Sequence, residues 1–92
     1  MRQPALRPNR HLPMVYLYRH PVDFRKSHRG LTATVQMELG HDSFSGILYV
    51  FRNRASNKIK IVFWEDNGFV MYYKSLAEGE LPAVARKFSA VV

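Results

Sequence analysis

The sequence predicts an α+β fold in which one main helix packs on a small antiparallel sheet, made of an N-terminal strand and a three-stranded meander. Three observations predict this: a short apolar strand at residues 14–18, a helical repeat of apolar residues after it, and three apolar runs separated by turn-forming segments. A chain of 92 residues supports one modest core.

The N-terminal strand stops at Pro21, and the helix is expected to begin at Asp23, whose carboxylate can accept hydrogen bonds from free amides. Gly40 is expected to end it. Gly30 weakens the helix by roughly 1 kcal/mol relative to alanine, unless close packing or a later helix start explains it. The apolar positions recur at spacings of seven, four and four and form one buried stripe: Phe24, Leu31, Val35 and Leu39.

The second half predicts three strands, at residues 46–52, 58–64 and 69–74. Turns are expected at residues 53–57 and 66–68, with Asn67 or Gly68 taking the positive φ of a tight hairpin. In the middle strand one alternating set is wholly apolar (Ile59, Ile61 and Phe63), and the other mixes charge with an indole. We expect the apolar set to meet the helix.

Composition divides the chain into three parts. Residues 1–13 hold three prolines and three arginines, which predicts a flexible basic arm. Residues 14–76 are expected to form a single α+β domain. Residues 77–92 are expected to be a divergent C-terminal tail, with a short helix within residues 83–91.

The net charge of +7 is unevenly distributed, with +6 in residues 1–37, +2 in residues 38–60 and −1 in residues 61–92. This asymmetry favours a polyanionic partner. Trp64 and Tyr72 are candidates for base stacking or for a protein interface. The candidate DNA-binding residues are the cations of the helix start, the first hairpin and the middle strand: Arg25, Lys26, Arg29, Arg54, Lys58 and Lys60.

The sequence lacks the residues that several classes of function require. The chain has no cysteine, and its four histidines lie too far apart for a helical zinc motif. The acids are sparse and show no clustering, so neither a metal, a cofactor nor a catalytic centre is expected. No signal peptide or membrane segment is expected, which favours a cytoplasmic protein without membrane contact.

A family resemblance rests on many ordered matches between residues 14 and 76. The chain closely resembles TnpB, the small accessory protein of bacterial insertion-sequence-66 transposons, which is unrelated to the RNA-guided nuclease of the same name. The matching runs are Val15-Tyr16-Leu17, Pro21-Val22-Asp23-Phe24-Arg25-Lys26-Ser27, Gly30-Leu31, Phe44-Ser45-Gly46, Leu48-Tyr49-Val50-Phe51, Lys58-Ile59-Lys60-Ile61, Trp64, Asn67-Gly68-Phe69 and Tyr73-Lys74.

The resemblance implies a cytoplasmic protein without a catalytic centre that assists transposition beside a separate transposase. DNA and that transposase are the expected partners, and self-association is a further expectation. The alternative is a non-catalytic adaptor that docks on the transposase or self-associates. The chain departs from the family pattern at Arg29, where relatives often have Asp or Asn, and in residues 75–82, and the tail after Pro82 looks foreign to the family.

Overall fold

A β-sheet of five strands carries the fold of the computed structural model, which describes residues 14–92. The arm expected at residues 1–13 lies outside the described residues. In chain order the elements are β1 (Val15–Leu17), α1 (His28–Met37), β2 (Leu48–Arg52), β3 (Lys58–Glu65), β4 (Gly68–Ser75), α2 (Leu81–Ala85) and β5 (Ala90–Val91).

The sheet is mixed, with the strand order β4-β3-β2-β1-β5. β2, β3 and β4 form the expected antiparallel meander, but β1 pairs in parallel with both β2 and β5. The predicted fold class, with its antiparallel sheet, is therefore wrong, and the molecule is α+β only in the rough sense of one main helix beside a small sheet. The cause is topological, because α1 connects two neighbouring strands as a crossover, and such a connection makes them parallel.

Helix α1 begins later than the sequence predicts. Its N-cap is Ser27, and Asp23 does not cap it. Asp23 instead closes a tight turn before the helix, where its backbone oxygen accepts from the Lys26 amide at 3.0 Å and its Oδ1 accepts from the Arg25 amide at 2.9 Å. The helix ends at Met37, and Gly40 follows with a φ of 68°.

The core lies between α1 and the sheet. Leu31 and Val35 of the helix are fully covered. Phe24 and Leu39 pack against the same cluster from outside the helix bounds. The sheet side of the cluster consists of Tyr18, Tyr49, Phe51 and Val62.

The two faces of β3 are the reverse of the expected ones. Val62 packs in the core under α1, and Lys60 donates to carbonyls of the chain just before the helix, so the mixed set of β3 faces α1. The apolar set that contains Ile59 faces the other side. Ile59 and Val50 are nonetheless buried there, at 2% and 0% exposure. β4 and β5 lie at opposite edges, so residues 76–89 connect one edge of the sheet to the other.

The C-terminal residues contribute to this architecture. The helix expected within residues 83–91 is α2, which is shorter and starts at Leu81. β5 then pairs Ala90 with Tyr16 and Val91 with Leu17.

The turn between β3 and β4 has its positive φ at Asp66, at 53°, rather than at Asn67 or Gly68 as the sequence predicts.

Candidate nucleic-acid interface

The turn before α1 presents Arg25 to solvent. Its guanidinium forms a bidentate ion pair with the Asp23 carboxylate, with Nη2 and Oδ2 2.6 Å apart, and its side chain is 91% exposed. The side-chain and backbone hydrogen bonds from Arg25 lower the pKa of Asp23 to about 2. Asp23 is therefore ionised at neutral pH and neutralises Arg25 in part.

Lys60 of β3 donates hydrogen bonds to the backbone of this turn. Its side chain is buried at 7% exposure, and Nζ donates to the backbone oxygen of Phe24 at 2.7 Å and to that of Lys26 at 3.2 Å. The same Nζ lies 5.0 Å from the centroid of the Phe24 ring, within the range of a cation–π contact. Lys60 thus satisfies two carbonyls of the turn before the helix. The sequence predicts an exposed phosphate contact for Lys60, whereas the structure buries it.

Lys26 precedes the N-cap of α1, and Arg29 lies in the first turn of the helix. A Cβ at Gly30 would be 3.3 Å from the Cβ of Lys26, so the lysine stem runs close along the helix start. Both Lys26 and Arg29 are exposed. The first turn contains no acidic residue, and the N-cap Ser27 makes no side-chain capping bond.

The β2–β3 hairpin brings further cations to the same region. Arg54 is exposed in its turn, and Lys58 begins β3 on the face that also carries Lys60. A groove of about 400 Å³ separates this turn from the turn before α1, and Arg54 lines it opposite Asp23 and Phe24.

Asn53 organises the hairpin turn. Its Oδ1 accepts from the amides of Asn57 and Lys58, each at 3.0 Å, and its Nδ2 donates to Asn57 Oδ1 at 2.7 Å. Ser56 takes a φ of 57° within this turn. These bonds fix the backbone that carries Arg54.

Four of the six candidate DNA-binding residues, Arg25, Lys26, Arg54 and Lys58, thus lie around one corner of the sheet, at the turn before α1 and the first hairpin. Arg29 follows in the first turn of α1, where the adjoining His28 packs against Phe69 of β4. We call this surface the basic corner, and it consists of Arg25, Lys26, Arg29, Arg54 and Lys58. Lys60 lies inside it as a buried support.

The two aromatic candidates lie elsewhere. Trp64 is six residues from Lys58 along β3, about 20 Å away at about 3.3 Å per residue. It packs against Phe44 and Phe69, with ring centroids at 5.0 and 5.2 Å. Tyr72 is 60% exposed on the face opposite α1, where its ring lies 6.0 Å from that of Phe63.

Sequence reasoning missed two residues of this region. The sequence predicts a helix cap at Asp23, although its position two residues before Arg25 behind a proline also fits a turn that pairs the two. The sequence predicts only a turn at Asn53, although asparagine at the first turn position commonly accepts from amides further along.

Two tyrosines outside the basic corner have raised pKa values. The hydrogen bond from Tyr18 Oη to Glu38 Oε1, 2.6 Å long, raises the pKa of Tyr18. Burial raises the pKa of Tyr49, whose hydroxyl lies 2.7 Å from His41 Nδ1.

Within residues 14–92, no group of three or more histidine, aspartate and glutamate side chains is arranged to hold a metal ion.

Comparison with known proteins identifies the family. A model described as IS66 Orf2 like protein matches residues 13–91. The chain belongs to the IS66 Orf2-like family. This confirms the resemblance found in the sequence, and the match continues past residue 76, where that resemblance ended, nearly to the end of the chain. The family name connects the chain with IS66 elements.

A curated relative is the uncharacterized protein y4jC of Sinorhizobium fredii (strain NBRC 101917 / NGR234). It is 33% identical to this chain over 60 residues, which are 65% of this chain and 51% of the relative. The chain thus spans about half the length of the curated relative that it matches. No solved structure matches this chain. In the part of the chain that the structure describes, no helix is long and apolar enough to cross a membrane.

Proposed function

We propose that this protein is a transposition accessory factor that binds DNA through the basic corner. The observation that carries the proposal is the grouping of Arg25, Lys26, Arg29, Arg54 and Lys58 around one corner of the sheet, in a chain of the IS66 Orf2-like family. The cytoplasmic location expected from the sequence is part of this proposal.

The chemistry of the corner fits a phosphate backbone. Arg54 lines the groove opposite the turn that leads to Arg25 and Lys26, and Asp23 is the one carboxylate among the residues lining it. Each phosphate contact by Lys or Arg releases condensed counterions, so affinity falls as salt rises, by about 0.9 logarithmic units per contact and per tenfold change in salt.

Phosphate contacts position a protein on DNA but do not read its sequence. The direct test is fluorescence anisotropy with a duplex of the element's terminal repeat and a scrambled duplex of equal length, each at several salt concentrations. Binding to either duplex that weakens as salt rises supports the proposal. A preference for the repeat would make the protein an end-recognition factor, and absence of binding to both would contradict the proposal.

The proposal includes no strand cleavage. Incubation of the purified protein with terminal DNA and magnesium or manganese is expected to leave the strands intact. Metal-dependent nicking that co-purifies with the protein and disappears on mutation of its acidic residues would contradict this.

A second candidate function is that of a protein adaptor that docks on the transposase of the same element. The observation that favours it is apolar exposure on β4, where Met71, Tyr72 and Tyr73 are 39%, 60% and 55% exposed. This function predicts a complex with the transposase that survives a salt concentration at which DNA binding is lost. Co-elution on a sizing column tests it, and separate elution at all salt concentrations would contradict it.

A further inference from the structure

β4 forms one of the two edges of the sheet and is a long strand for an edge position. Its eight residues pair with β3 in unbroken register, and no strand within residues 14–92 pairs with its other side. Edge strands of soluble proteins are usually protected by shortness, bulges, prolines or several charges. β4 has no proline or bulge, and its only charged residue is Lys74, next to its end.

The hydrogen-bonding direction along β4 follows from the hairpin. Glu65 and Gly68 flank the two-residue turn, and Leu76 at the other end donates its amide to Asn57 at 2.8 Å. Because inward and outward groups alternate along an antiparallel strand, the even-numbered residues bond to β3. The amides and carbonyls of Phe69, Met71, Tyr73 and Ser75 therefore point away from the sheet and are available to another strand.

The charges at the two ends of this edge have opposite sign. Glu65 and Asp66 lie at the hairpin end, and Lys74 lies at the other end. Two β4 strands placed side by side in parallel would bring like charges together. Placed antiparallel, they bring the acidic end of each against the basic end of the other, so the edge is complementary to itself under a two-fold axis.

We propose that β4 pairs antiparallel with β4 of a second copy of this chain, centred on Met71, to form a continuous sheet of two molecules. In this register Met71 lies opposite Met71 of the second copy, and Phe69 lies opposite Tyr73. Both are pairs in which the outward amides and carbonyls bond to each other.

The register also gives Lys74 a partner. Lys74 lies opposite Gly68 of the second copy, which has no side chain and around which a Cβ would meet nothing within 4 Å. Glu65 is the neighbour of Gly68 on β3, about 10 Å from the Lys74 backbone across two strand spacings. Lys74 and Glu65 share the face opposite α1, because both alternate with the residues that face the helix. The lysine can therefore reach over the glycine to the carboxylate, twice per dimer.

Charge reversal tests this register. Sedimentation velocity over a wide range of concentration is expected to show a monomer–dimer equilibrium for the wild-type chain. Lys74→Glu or Glu65→Lys alone is expected to raise the dissociation constant about tenfold, since each reversal acts at two symmetric contacts. The double variant K74E/E65K restores opposite charges and is expected to recover most of the affinity. A monomeric wild-type chain, or a double variant as weak as either single one, would overturn the proposal.

Cysteine pairing tests the geometry independently, because the chain has no cysteine of its own. At the two-fold axis, residues 71 of the two copies have Cα atoms about 5.5 Å apart, within the range that a disulfide bridges. Met71→Cys is therefore expected to oxidise to a covalent dimer. The matched control is Tyr73→Cys on the same face of β4, because residues 73 of the two copies lie about 13 Å apart along the strands. A covalent dimer of the Tyr73 variant, or none of the Met71 variant, would overturn the register.

Met71→Pro tests the edge itself. The amide of Met71 points outward, so proline there removes an intermolecular bond and none of those to β3. Loss of the dimer with an unchanged circular dichroism spectrum is expected, and a dimer that persists would overturn the use of this edge.

Discussion

At the scale of single residues, Lys60 is the clearest case of a cation used for structure. A buried lysine is uncommon unless its charge is compensated, and here two backbone oxygens and the Phe24 ring surround Nζ. The lysine thereby connects β3 to the turn that presents Arg25 and Lys26.

Lys60→Met is expected to lower the free energy of unfolding by about 1–3 kcal/mol, because two carbonyls lose their donor. Urea denaturation measures the loss. Lys58→Met, on the same face of the same strand, is the matched control, and it is expected to change stability by less than about 0.5 kcal/mol. Equal effects of the two substitutions would contradict the supporting role of Lys60.

Asp23 is the residue that reduces the positive charge of the basic corner. Its carboxylate holds the Arg25 guanidinium and would repel a phosphate that approaches the same place. Because hydrogen bonds from Arg25 lower its pKa to about 2, the ion pair is present at and above pH ~4 and is lost as the pH falls from about 4 to 2.

Asp23→Asn is expected to tighten DNA binding by about two- to fivefold at low salt, because Arg25 becomes free to contact a phosphate. The asparagine oxygen can still accept from the Arg25 amide, so the turn is expected to persist. Anisotropy titrations with one duplex measure the change. Weaker binding of the variant would show that the pair, rather than free Arg25, is the form that contacts DNA.

At the scale of elements, the N-terminus of α1 has an electrostatic pattern that is unfavourable for the helix itself. An arginine in the first turn faces the positive end of the helix dipole, and no acid offsets it. This is the pattern expected where an anionic partner supplies the missing negative charge.

Arg29→Glu separates these two effects. It is expected to raise the free energy of unfolding by about 0.3–1 kcal/mol through the dipole while it weakens DNA binding. Urea denaturation and anisotropy of the same preparation measure both, with Arg29→Gln as the neutral control. A variant that gains stability and keeps full DNA affinity would remove Arg29 from the interface.

The elements also show what the sequence determines and what it does not. The meander follows from alternation and turn residues, and it is present with its two hairpins. The parallel pairing of β1 does not follow from alternation, because it depends on α1 connecting two neighbouring strands as a crossover. β5 has only two residues and exists through its pairing with β1, so no local pattern predicts it.

The faces of β3 show why the alternation of apolar residues alone predicts the wrong face against α1. An apolar alternate set predicts burial only where one face of a sheet is solvated, and here both faces are partly covered. The mixed set could face α1 because the turn before the helix offers two carbonyls to Lys60. That partner depends on the tertiary structure and leaves no mark in the sequence of β3. The six cations selected by charge and position remain predicted DNA contacts, and the structure places one of them, Lys60, in the interior.

At the scale of the whole molecule, charge and apolar exposure adjoin each other. The basic corner lies at the turn before α1, the first turn of α1 and the first hairpin, and β4 runs beside it, with Tyr73 packed against Phe24 and Ser75 paired with Lys58. A two-fold axis through paired β4 strands is perpendicular to the sheet, so both copies of α1 lie on the same face. The two basic corners of such a dimer would then be open to one DNA molecule.

The most direct measurement is the salt dependence of DNA affinity for three proteins: the wild-type chain, R25A/K26A in the basic corner and R86A/K87A after α2. The two double variants lose the same charge, and both control residues are exposed and outside the corner. The expected result is a slope of up to about −4.5 for the wild type and the control, flattened by up to about two units in R25A/K26A. Equal slopes for the two double variants would contradict DNA binding through this surface.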